Sequence, residues 1–395
     1  MKKIGIVTMV GYDNYGNLLQ NYAVTKLIED MGYQAITLNS EREANELEIS
    51  KIVTKWEKIR PYYLRRYIKS KAFQLFGCKS TIDFFPINIF KLLKNKNEFE
   101  KCKEHRFKKF KEFRRRYIPY ESVPVDDIHF SEKDYVAFVC GSDVVWHPTY
   151  HQNKTNDFLG FASQYKRIAL APSFGVSQIP EDRKESYIEW LNGIKYLSIR
   201  EEAGASIIKD LIQKEVEVLP DPTLSVEAEH WRSISEKPVT ILNKPYILCY
   251  FLGNVTIEYL RWIKKCAKQK GKEIICVYDS NWLQYYATNP SEFLWLIDHA
   301  DSVFTDSFHG VVFSLLFHTP FVAFRRVEEG LSIFSRIESL LKCMKMENRE
   351  FGKTKLDQFD KLNFNYVDER IGYLKEKEKI FLKNAIKEIE EKSDR

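Results

Sequence analysis

The sequence predicts an α/β protein in which strands alternate with helices in two successive halves of the chain. Short apolar runs of strand length alternate with longer segments of helical periodicity from residue 3 onward. The alternation stops near 226–244 and then begins again. With 395 residues, the chain is also too long for one small hydrophobic core. Two Rossmann-like domains that face a central cleft are therefore the predicted architecture.

The predicted first domain spans residues 1–225, the second spans 226–365, and a C-terminal helix occupies 366–395. That last segment places apolar residues at helical spacing along one side, so we expect it to pack back across both domains. Residues 41–120 interrupt the first domain with helical, aromatic and strongly basic stretches. We predict a helical insertion for them.

The first domain opens with a strand, a glycine-containing loop, a helix and a second strand, the usual start of a parallel α/β sheet. The loop carries Gly11 and Gly16 but lacks the GxGxxG spacing, so it does not by itself indicate a nucleotide site. A tight turn alone would explain both glycines. The strands of this domain are expected at 3–9, 34–38, 135–140, 167–171, 196–199 and 216–219, and its first helix is expected at 17–31.

The second domain repeats the alternation. Asn289 followed by Pro290 is a typical beginning of a helix, because asparagine caps free backbone N–H groups and proline suits the first helical position. We expect strands at 246–251, 273–277, 302–304 and 321–324, and helices at 257–269, 291–299, 308–317 and 332–343.

Polar side chains follow several of these strands. Asp143 and Arg200 each follow a strand of the first domain, and Arg325 and Arg326 follow the last strand of the second. Open α/β sheets bind ligands at the carboxyl ends of their strands, so these side chains are expected to converge on one cleft. Simpler alternatives are a helix cap for Asp143, a surface ion pair for Arg200, and solvent exposure for the two neighbouring arginines.

The stretch around His309 is the strongest candidate for a reactive site. Thr305, Asp306 and Ser307 separate a strand from a helix, and residues of these types cap helices. The positive end of that helix would favour an anion, and His309 in its first turn would lie beside it. An imidazole titrates near neutral pH and can transfer a proton. A histidine that only packs or caps remains the alternative.

The basic stretches of the predicted insertion mix lysine and arginine with aromatic residues at 55–67, 91–96 and 101–116. Such a mixture suits an anionic partner, which would be a membrane surface, a lipid diphosphate or a nucleic acid. A solvated helix face is the alternative. Four phenylalanines at helical spacing favour core positions, and they are Phe99, Phe107, Phe110 and Phe113.

The composition excludes several classes of protein. Seven cysteines show neither a CxxC pair nor metal spacing, and an odd count without a pattern favours a reducing cytoplasm. Cys140, Cys249 and Cys276 lie in strand-like runs and are expected to be buried thiols. The histidines show no HExxH spacing, so we expect no metal site. No signal peptide is visible, and no apolar run approaches the ~18–20 residues that span a membrane.

Five segments, taken in order, resemble the polysaccharide pyruvyl transferase family across roughly residues 4–325. They are NYGNLLQNYA at 14–23, GSDVVW at 141–146, SIRE at 198–201, LPDPT at 219–223 and TDSFHG at 305–310. The resemblance implies a GT-B-like fold. It also implies transfer of pyruvate from phosphoenolpyruvate onto two hydroxyls of a sugar to form a cyclic ketal, with no further cofactor, in capsule or exopolysaccharide synthesis.

The resemblance also implies roles for individual residues. His309 corresponds to the active-site histidine of the family, and Arg200 to its donor-binding arginine. Many relatives carry an arginine two residues before that histidine, where this chain has Ser307. Arg325 or Arg326 is then expected to supply the charge that Ser307 lacks.

Other residues complete the expected site. Asp143 would orient or deprotonate an acceptor hydroxyl. The predicted acceptor-binding residues, all within the matching segments, are Asn14, Tyr15, Asn17 and Trp146. A lipid-linked acceptor would bring the basic insertion to the inner face of the membrane, so peripheral membrane contact is one expectation and nucleic acid is not an expected partner.

Two other functions fit parts of the same sequence. A GT-B glycosyltransferase that uses a nucleotide sugar would share the fold and the cleft, although no clear acidic ribose-binding residue follows in the second half. A non-catalytic protein that binds a glycan or nucleic acid through the basic insertion is the third hypothesis. It leaves the polar residues at the strand ends unexplained.

Overall fold

The computed structural model describes residues 1–9, 14–38, 89–121, 131–148, 154–240, 244–279, 282–327 and 334–393. The chain divides into two compact units. One contains residues 1–40 and 102–395, and the other contains 41–101. Of the smaller unit the structure describes only the helical residues 89–101, so most of the predicted insertion lies outside the described residues.

The first sheet of the larger unit has seven strands, and all of its neighbouring strands are parallel. In chain order they are β1 (Lys3–Val7), β2 (Gln34–Leu38), β3 (Tyr120–Glu121), β4 (Tyr135–Cys140), β5 (Arg167–Ala169), β6 (Tyr196–Ile199) and β7 (Glu217–Val218). Their order across the sheet is β3-β2-β1-β4-β5-β6-β7. The direction of winding reverses between β1 and β4, so the carboxyl ends of these two strands flank the crevice where such sheets bind ligands.

The second sheet has four strands, also parallel. They are β8 (Tyr246–Tyr250), β9 (Glu273–Val277), β10 (Ser302–Thr305) and β11 (Phe321–Ala323), in the spatial order β11-β10-β8-β9. The winding reverses between β8 and β10, which makes the loops after these strands the second candidate ligand edge. The predicted α/β fold with two Rossmann-like halves is confirmed, whereas the exact domain boundaries stay a prediction.

Twelve α-helices lie in the described parts of the chain. They are α1 (Tyr15–Asp30), α2 (Ile89–Tyr117), α3 (Lys154–Asp157), α4 (Lys184–Asn192), α5 (Glu202–Ile212), α6 (Ala228–Ser233), α7 (Ile257–Lys270), α8 (Leu283–Tyr286), α9 (Pro290–Asp298), α10 (Phe308–Leu316), α11 (Ser335–Cys343) and α12 (Asn365–Ser393).

Side-chain caps fix where several of these helices begin. The Asn289 side chain accepts the Glu292 N–H at 2.7 Å, and the Glu292 carboxylate accepts the Asn289 N–H at 2.8 Å. This reciprocal capping box, with Pro290 at the first position of α9, confirms the predicted start of that helix. Ser307 caps α10 through one bond, in which its hydroxyl accepts the Gly310 N–H at 3.4 Å.

Apolar residues on both faces of the first sheet are buried, as expected for a parallel sheet covered by helices. Ile4 and Ile6 of β1 belong to one core, whereas Phe138 of β4 belongs to the core on the opposite face. Of the thiols predicted to be buried, Cys140 and Cys249 are buried. Cys276 is partly exposed, which corrects that expectation.

Helix α12 packs back along the chain, as the sequence predicts. Near its beginning, Val367 and Ile371 join the core of the second sheet. Near its end, Leu382 and Ile386 join the core of the first sheet. Between these two parts of the helix lies Glu378, which is fully buried. Burial raises the pKa of its carboxyl group to about 8. Its carboxyl group therefore carries a proton at neutral pH.

Residues 102–117 of α2 belong to the larger unit, and one side of this part of the helix packs against the rest of the unit. Phe110 and Phe113 are buried, as predicted for core positions. Arg106 is also buried, and its guanidinium lies 4.5 Å from the centre of the Tyr15 ring. Its Nη1 donates to the Tyr15 hydroxyl at 2.7 Å and to the Tyr286 carbonyl at 2.9 Å. In the described residues, no helix is long and apolar enough to cross a membrane.

Candidate functional site

The candidate site is organised around the carboxylate of Asp221, which is fully buried in the loop after β7. Its Oδ1 accepts the Thr223 N–H at 3.1 Å and the Thr223 hydroxyl at 2.6 Å. Its Oδ2 accepts Nη1 of Arg200, and the Ser142 hydroxyl lies 3.2 Å away. Nε2 of His309 lies 3.7 Å from the same Oδ2 atom. Asp221 therefore joins groups from both sheets.

The charges around Asp221 keep it ionised. Burial alone would raise the pKa of Asp221, but the attraction of His309 and Arg200 outweighs burial and holds the pKa well below its ordinary value. Burial would likewise lower the pKa of Arg200, but the neighbouring Asp221 and Asp143 carboxylates raise it. Arg200 and Asp221 therefore form a buried ion pair.

His309 lies in the first turn of α10 and is 5% exposed. Across from it is the first turn of α1, where Gly16 approaches so closely that an added Cβ would overlap the imidazole ring. Glycine is thus required at this position by the space that His309 occupies. Within the described residues, Nε2 of His309 has no hydrogen-bond partner. It is held near Asp221 but remains available for a ligand.

Asp143 lies after β4 in a left-handed backbone conformation with φ of 62°. Its Oδ1 accepts the Val144 N–H at 2.9 Å. The same oxygen lies 3.5 Å from Nη2 of Arg200 and 3.4 Å from Nη1 of Arg336. Burial would raise the pKa of Asp143, but His309, Arg200 and Arg336 together lower it. The carboxylate between the two arginines is therefore ionised.

Arg336 is a site residue that the sequence analysis missed. It lies in the first turn of α11 and is 7% exposed. The Phe308 ring centre lies 5.8 Å from the Arg336 guanidinium and 4.6 Å from that of Arg200. Burial and the nearby Arg200 lower the pKa of Arg336 to about 10, so it stays charged at neutral pH. An arginine at the start of a helix carries no local sign of such a role.

Glu201 is the third acidic group beside Arg200. Its Oε2 lies 3.9 Å from Arg200 Nε, and its Oε1 accepts the Ser173 hydroxyl at 2.8 Å. Burial raises the pKa of Glu201. The alternative of a surface ion pair for Arg200 is therefore wrong, because both side chains are buried.

Of the predicted pair of arginines after β11, Arg325 binds carboxylates outside this cluster. Arg326 lies nearer, since its charge adds to burial and to Arg200 in lowering the pKa of Arg336. Arg325 is half exposed, and its guanidinium binds Glu350 at 2.7 Å and Glu338 at 2.6 Å. Its expected role as the missing donor charge is not favoured, since these two carboxylates already neutralise it. Arg336 instead lies within the cluster, 3.4 Å from Asp143.

Arg326 lies beside a different carboxylate. Its Nε is 3.6 Å from Oδ2 of Asp306. The Asp306 carboxylate accepts the Leu252 N–H at 2.7 Å through Oδ1 and the Gly253 N–H at 2.8 Å through Oδ2. Asp306 therefore ties the loop after β8 to the loop after β10. Arg326 therefore stabilises the ligand edge of the second sheet through Asp306, the residue before Ser307.

Two of the four predicted acceptor-binding residues lie in the hydrophobic core. Tyr15 stacks on Phe293 with ring centres 4.2 Å apart, and its hydroxyl donates to the Thr288 carbonyl at 3.0 Å. Trp146 is fully buried, and its indole N–H donates to the Asp157 carbonyl at 3.1 Å. Neither ring presents a face to a sugar, which corrects the expectation for both.

The other two predicted acceptor residues lie at the start of α1. Asn14 is partly exposed and caps the helix by accepting the Gly16 N–H at 2.8 Å. Asn17 is buried in the first turn. Gln20, one turn further, accepts the Ser142 N–H at 2.9 Å and donates to the Thr8 hydroxyl at 2.5 Å. The start of α1 is thereby fixed against the carboxyl ends of β1 and β4.

The arrangement can bind an anion and move a proton. Arg200 and Arg336 bring two fixed positive charges, and His309 offers an imidazole nitrogen beside them. In the part of the chain that the structure describes, no three His, Cys, Asp or Glu side chains form a group that could hold a metal ion. The described chemistry of the site is thus that of guanidinium, carboxylate and imidazole groups.

One family model matches most of the chain. The family model described as polysaccharide pyruvyl transferase matches residues 14–326. A search of curated protein sequences found no significant match.

Three solved structures show a distant likeness. A UDP-GlcNAc 2-epimerase from Neisseria meningitidis aligns at 9% identity and a TM-score of 0.42, over 97% of this chain and 100% of its own. The spinosyn rhamnosyltransferase SpnG aligns at 8% identity and 0.35, over 98% and 96%. A UDP-glucosyltransferase from Polygonum tinctorium aligns at 10% identity and 0.38, over 98% of both chains.

The close approach of α1 to His309 leads to a prediction for Gly16→Ala. The added methyl group would collide with the imidazole ring, and overpacking of a buried position typically costs about 1–3 kcal/mol. We expect the free energy of unfolding, measured with urea, to fall by about that amount.

Gly372→Ala in α12 is the matched control, because a Cβ there meets no atom within 4 Å. Alanine has the higher helix propensity, so this variant should gain up to about 1 kcal/mol. A Gly16→Ala variant as stable as the wild type would contradict the described packing on His309.

Proposed function

Because the chain belongs to the polysaccharide pyruvyl transferase family, we propose that it transfers pyruvate from phosphoenolpyruvate to two hydroxyl groups of a glycan sugar, closing a cyclic ketal. The observation that supports this most is the burial of His309 beside two arginines and two carboxylates. The proposed setting is the synthesis of a bacterial capsule or exopolysaccharide in the cytoplasm.

The donor carries a phosphate and a carboxylate, so its binding requires fixed positive charges. The planar guanidinium of arginine binds both groups through paired hydrogen bonds. Arg200, held by Asp221, is the proposed first contact with the donor. Helix α10 begins at the same place, and the positive end of its dipole favours an anion beside Ser307 and His309.

The proposed reaction begins with protonation of the methylene carbon C3 of phosphoenolpyruvate by His309. Positive charge then develops at C2. The oxygen of the first sugar hydroxyl attacks C2 and forms one C–O bond. The bond from C2 to the phosphate oxygen then breaks, and the second hydroxyl closes the ketal. Of the two hydroxyl protons, one replaces the proton that His309 gave to C3, and the other leaves on the phosphate. A histidine in this role typically contributes ~10²–10⁴-fold.

Asp221 and Asp143 have separate proposed tasks. Asp221 lies 3.7 Å from His309 Nε2 and orients the imidazole, since its own hydrogen bonds fix its position. Asp143 accepts the proton of an acceptor hydroxyl and passes it to the departing phosphate. Asn14 and Asn17, at the start of α1, remain the proposed contacts with the acceptor sugar.

The donor proposal predicts binding of phosphoenolpyruvate to the purified protein. Isothermal titration calorimetry should detect binding by the wild type. Removal of the charged partner in Arg200→Ala should weaken it by at least about tenfold. His309→Ala should retain most of the binding if the imidazole acts mainly in proton transfer.

Arg325→Ala is the matched control. That half-exposed arginine is already paired with Glu338 and Glu350, so its removal should leave donor binding unchanged. Wild-type protein that binds a nucleotide sugar but no phosphoenolpyruvate would contradict the proposed donor and favour a glycosyltransferase.

The exposed side of α2 supports a further proposal about where the enzyme binds its acceptor. Lys108, Lys111 and Arg115 are exposed along one side of the helix, where Glu104 and Glu112 are the acidic neighbours. A basic helix face of this kind binds anionic membrane surfaces. A lipid-linked sugar on the inner face of the membrane would then lie near the enzyme.

The triple variant Lys108→Glu, Lys111→Glu and Arg115→Glu tests this contact. We expect it to lose flotation with phosphatidylglycerol vesicles at low salt, at about 1 kcal/mol of attraction for each basic residue removed. Neither protein should float with phosphatidylcholine vesicles.

The control reverses three exposed lysines on α7, namely Lys264, Lys265 and Lys268. It changes the net charge equally and should still float. Equal flotation of wild type and the α2 variant would contradict membrane contact through this face.

A further inference from the structure

The carboxylate of Asp143 lies between two guanidinium groups that come from different halves of the chain. Arg200 follows β6 of the first sheet, and Arg336 begins α11 beyond the second. A single oxygen, Oδ1, is the atom closest to both. Proteins also bind the carboxylate or phosphate of a ligand between arginine side chains in this way.

The contacts to Asp143 are long. The two N–O distances are 3.5 Å and 3.4 Å, whereas charge-assisted hydrogen bonds between arginine and carboxylate are about 2.7–2.9 Å. Arg200 makes its short contact with Asp221 instead. Asp221 therefore fixes Arg200 in place, while Asp143 is only loosely paired and can exchange with another anion.

Both arginines retain unused donors. Within the described residues, the Nε atoms of Arg200 and Arg336 are buried and have no hydrogen-bond partner. A buried charged donor without a partner costs free energy that a bound anion would recover. The Phe308 ring beneath both guanidinium groups keeps them in place without using their N–H groups.

We propose that Arg200 and Arg336 form a two-arginine anion site in which Asp143 is the resident counter-ion, displaced when the carboxylate or phosphate of the donor binds. Arg336 is thereby the second donor-binding residue and supplies the charge that Ser307 lacks. The proposal rests on the proposed function for the identity of the donor.

Displacement of Asp143 would couple the two substrates. Its carboxylate, once released from the arginines, is free to accept a proton from the acceptor hydroxyl. Before the donor binds, the same carboxylate is held by the two positive charges and is a weaker base, as the lowered pKa of Asp143 indicates. Activation of the acceptor therefore follows donor binding.

Calorimetry with phosphoenolpyruvate as the probe tests the assignment through two changes of opposite sign. Arg336→Gln should weaken binding about 10- to 100-fold, the loss of one charged contact, and Arg336→Lys should restore part of it. Asp143→Asn should strengthen binding about 3- to 10-fold, because the donor no longer competes with a resident carboxylate.

Glu201→Gln is the matched control, since it removes a carboxylate 3.9 Å from the same Arg200 without emptying the position between the two arginines. It should change donor affinity less than Asp143→Asn does. Each variant must keep the circular dichroism spectrum of the wild type and stay folded at the temperature of the titration, and Asp143→Asn remains informative if Arg336→Gln does not fold.

The outcomes separate the two claims. Wild-type protein that binds no phosphoenolpyruvate overturns the proposed function and this inference with it. Wild-type binding with equal affinity in Arg336→Gln, or with weaker affinity in Asp143→Asn, overturns the inference alone and leaves the proposed function standing. Weaker binding in the first variant with tighter binding in the second supports it.

Discussion

The structure depends on one buried carboxylate. Asp221 has no exposed surface, yet it is ionised and joins Arg200 of the first half to the neighbourhood of His309 in the second. A buried charge is tolerated only when it is fully paired, and removing one partner of such a pair typically costs about 3–5 kcal/mol. The packing of the two halves at this point is therefore tied to the charges of the site.

The fold brings these charges together through general features of parallel sheets. Winding reverses between β1 and β4 in the first sheet and between β8 and β10 in the second. Gln20 of α1 binds the loops after β1 and β4, and Asp306 binds the loop after β8. Each sheet thus has a side chain that fixes its ligand edge. The site lies where these edges meet, and helix α12 spans both cores behind it.

Local signals in the sequence were sufficient for much of this fold. Helical periodicity and capping residues predict the starts of α9 and α10, because both depend on neighbours within one turn. The strand β3 was not predicted, because it begins at the end of the segment 41–120 that was interpreted as a helical insertion. Strand ends also predicted that Asp143, Arg200 and His309 lie near one another, and the structure brings these three together.

What the sequence could not supply were contacts between distant segments. Asp221 between two prolines reads locally as a turn, and it does cap a turn through the Thr223 N–H, but its second role depends on Arg200 and His309. Arg336 could not be told from Arg325, because burial decides between them. A match to a family segment likewise cannot separate the core positions of Tyr15 and Trp146 from positions that face a ligand.

The role of the Asp221 carboxylate is tested most directly by the free energy of unfolding of wild type and Asp221→Asn, measured with urea between pH 7 and pH 3. The pKa of Asp221 is lower in the folded chain than in the unfolded chain. Its ionised form therefore contributes its full stability above the unfolded pKa of about 4, and this contribution is lost as the pH falls toward the folded value. We expect the wild type to be more stable by about 3–5 kcal/mol at pH 7, with the difference shrinking by about 1.4 kcal/mol per pH unit below about pH 4. A difference below about 1 kcal/mol at pH 7, or one that does not change with pH, would contradict the central place given to this carboxylate.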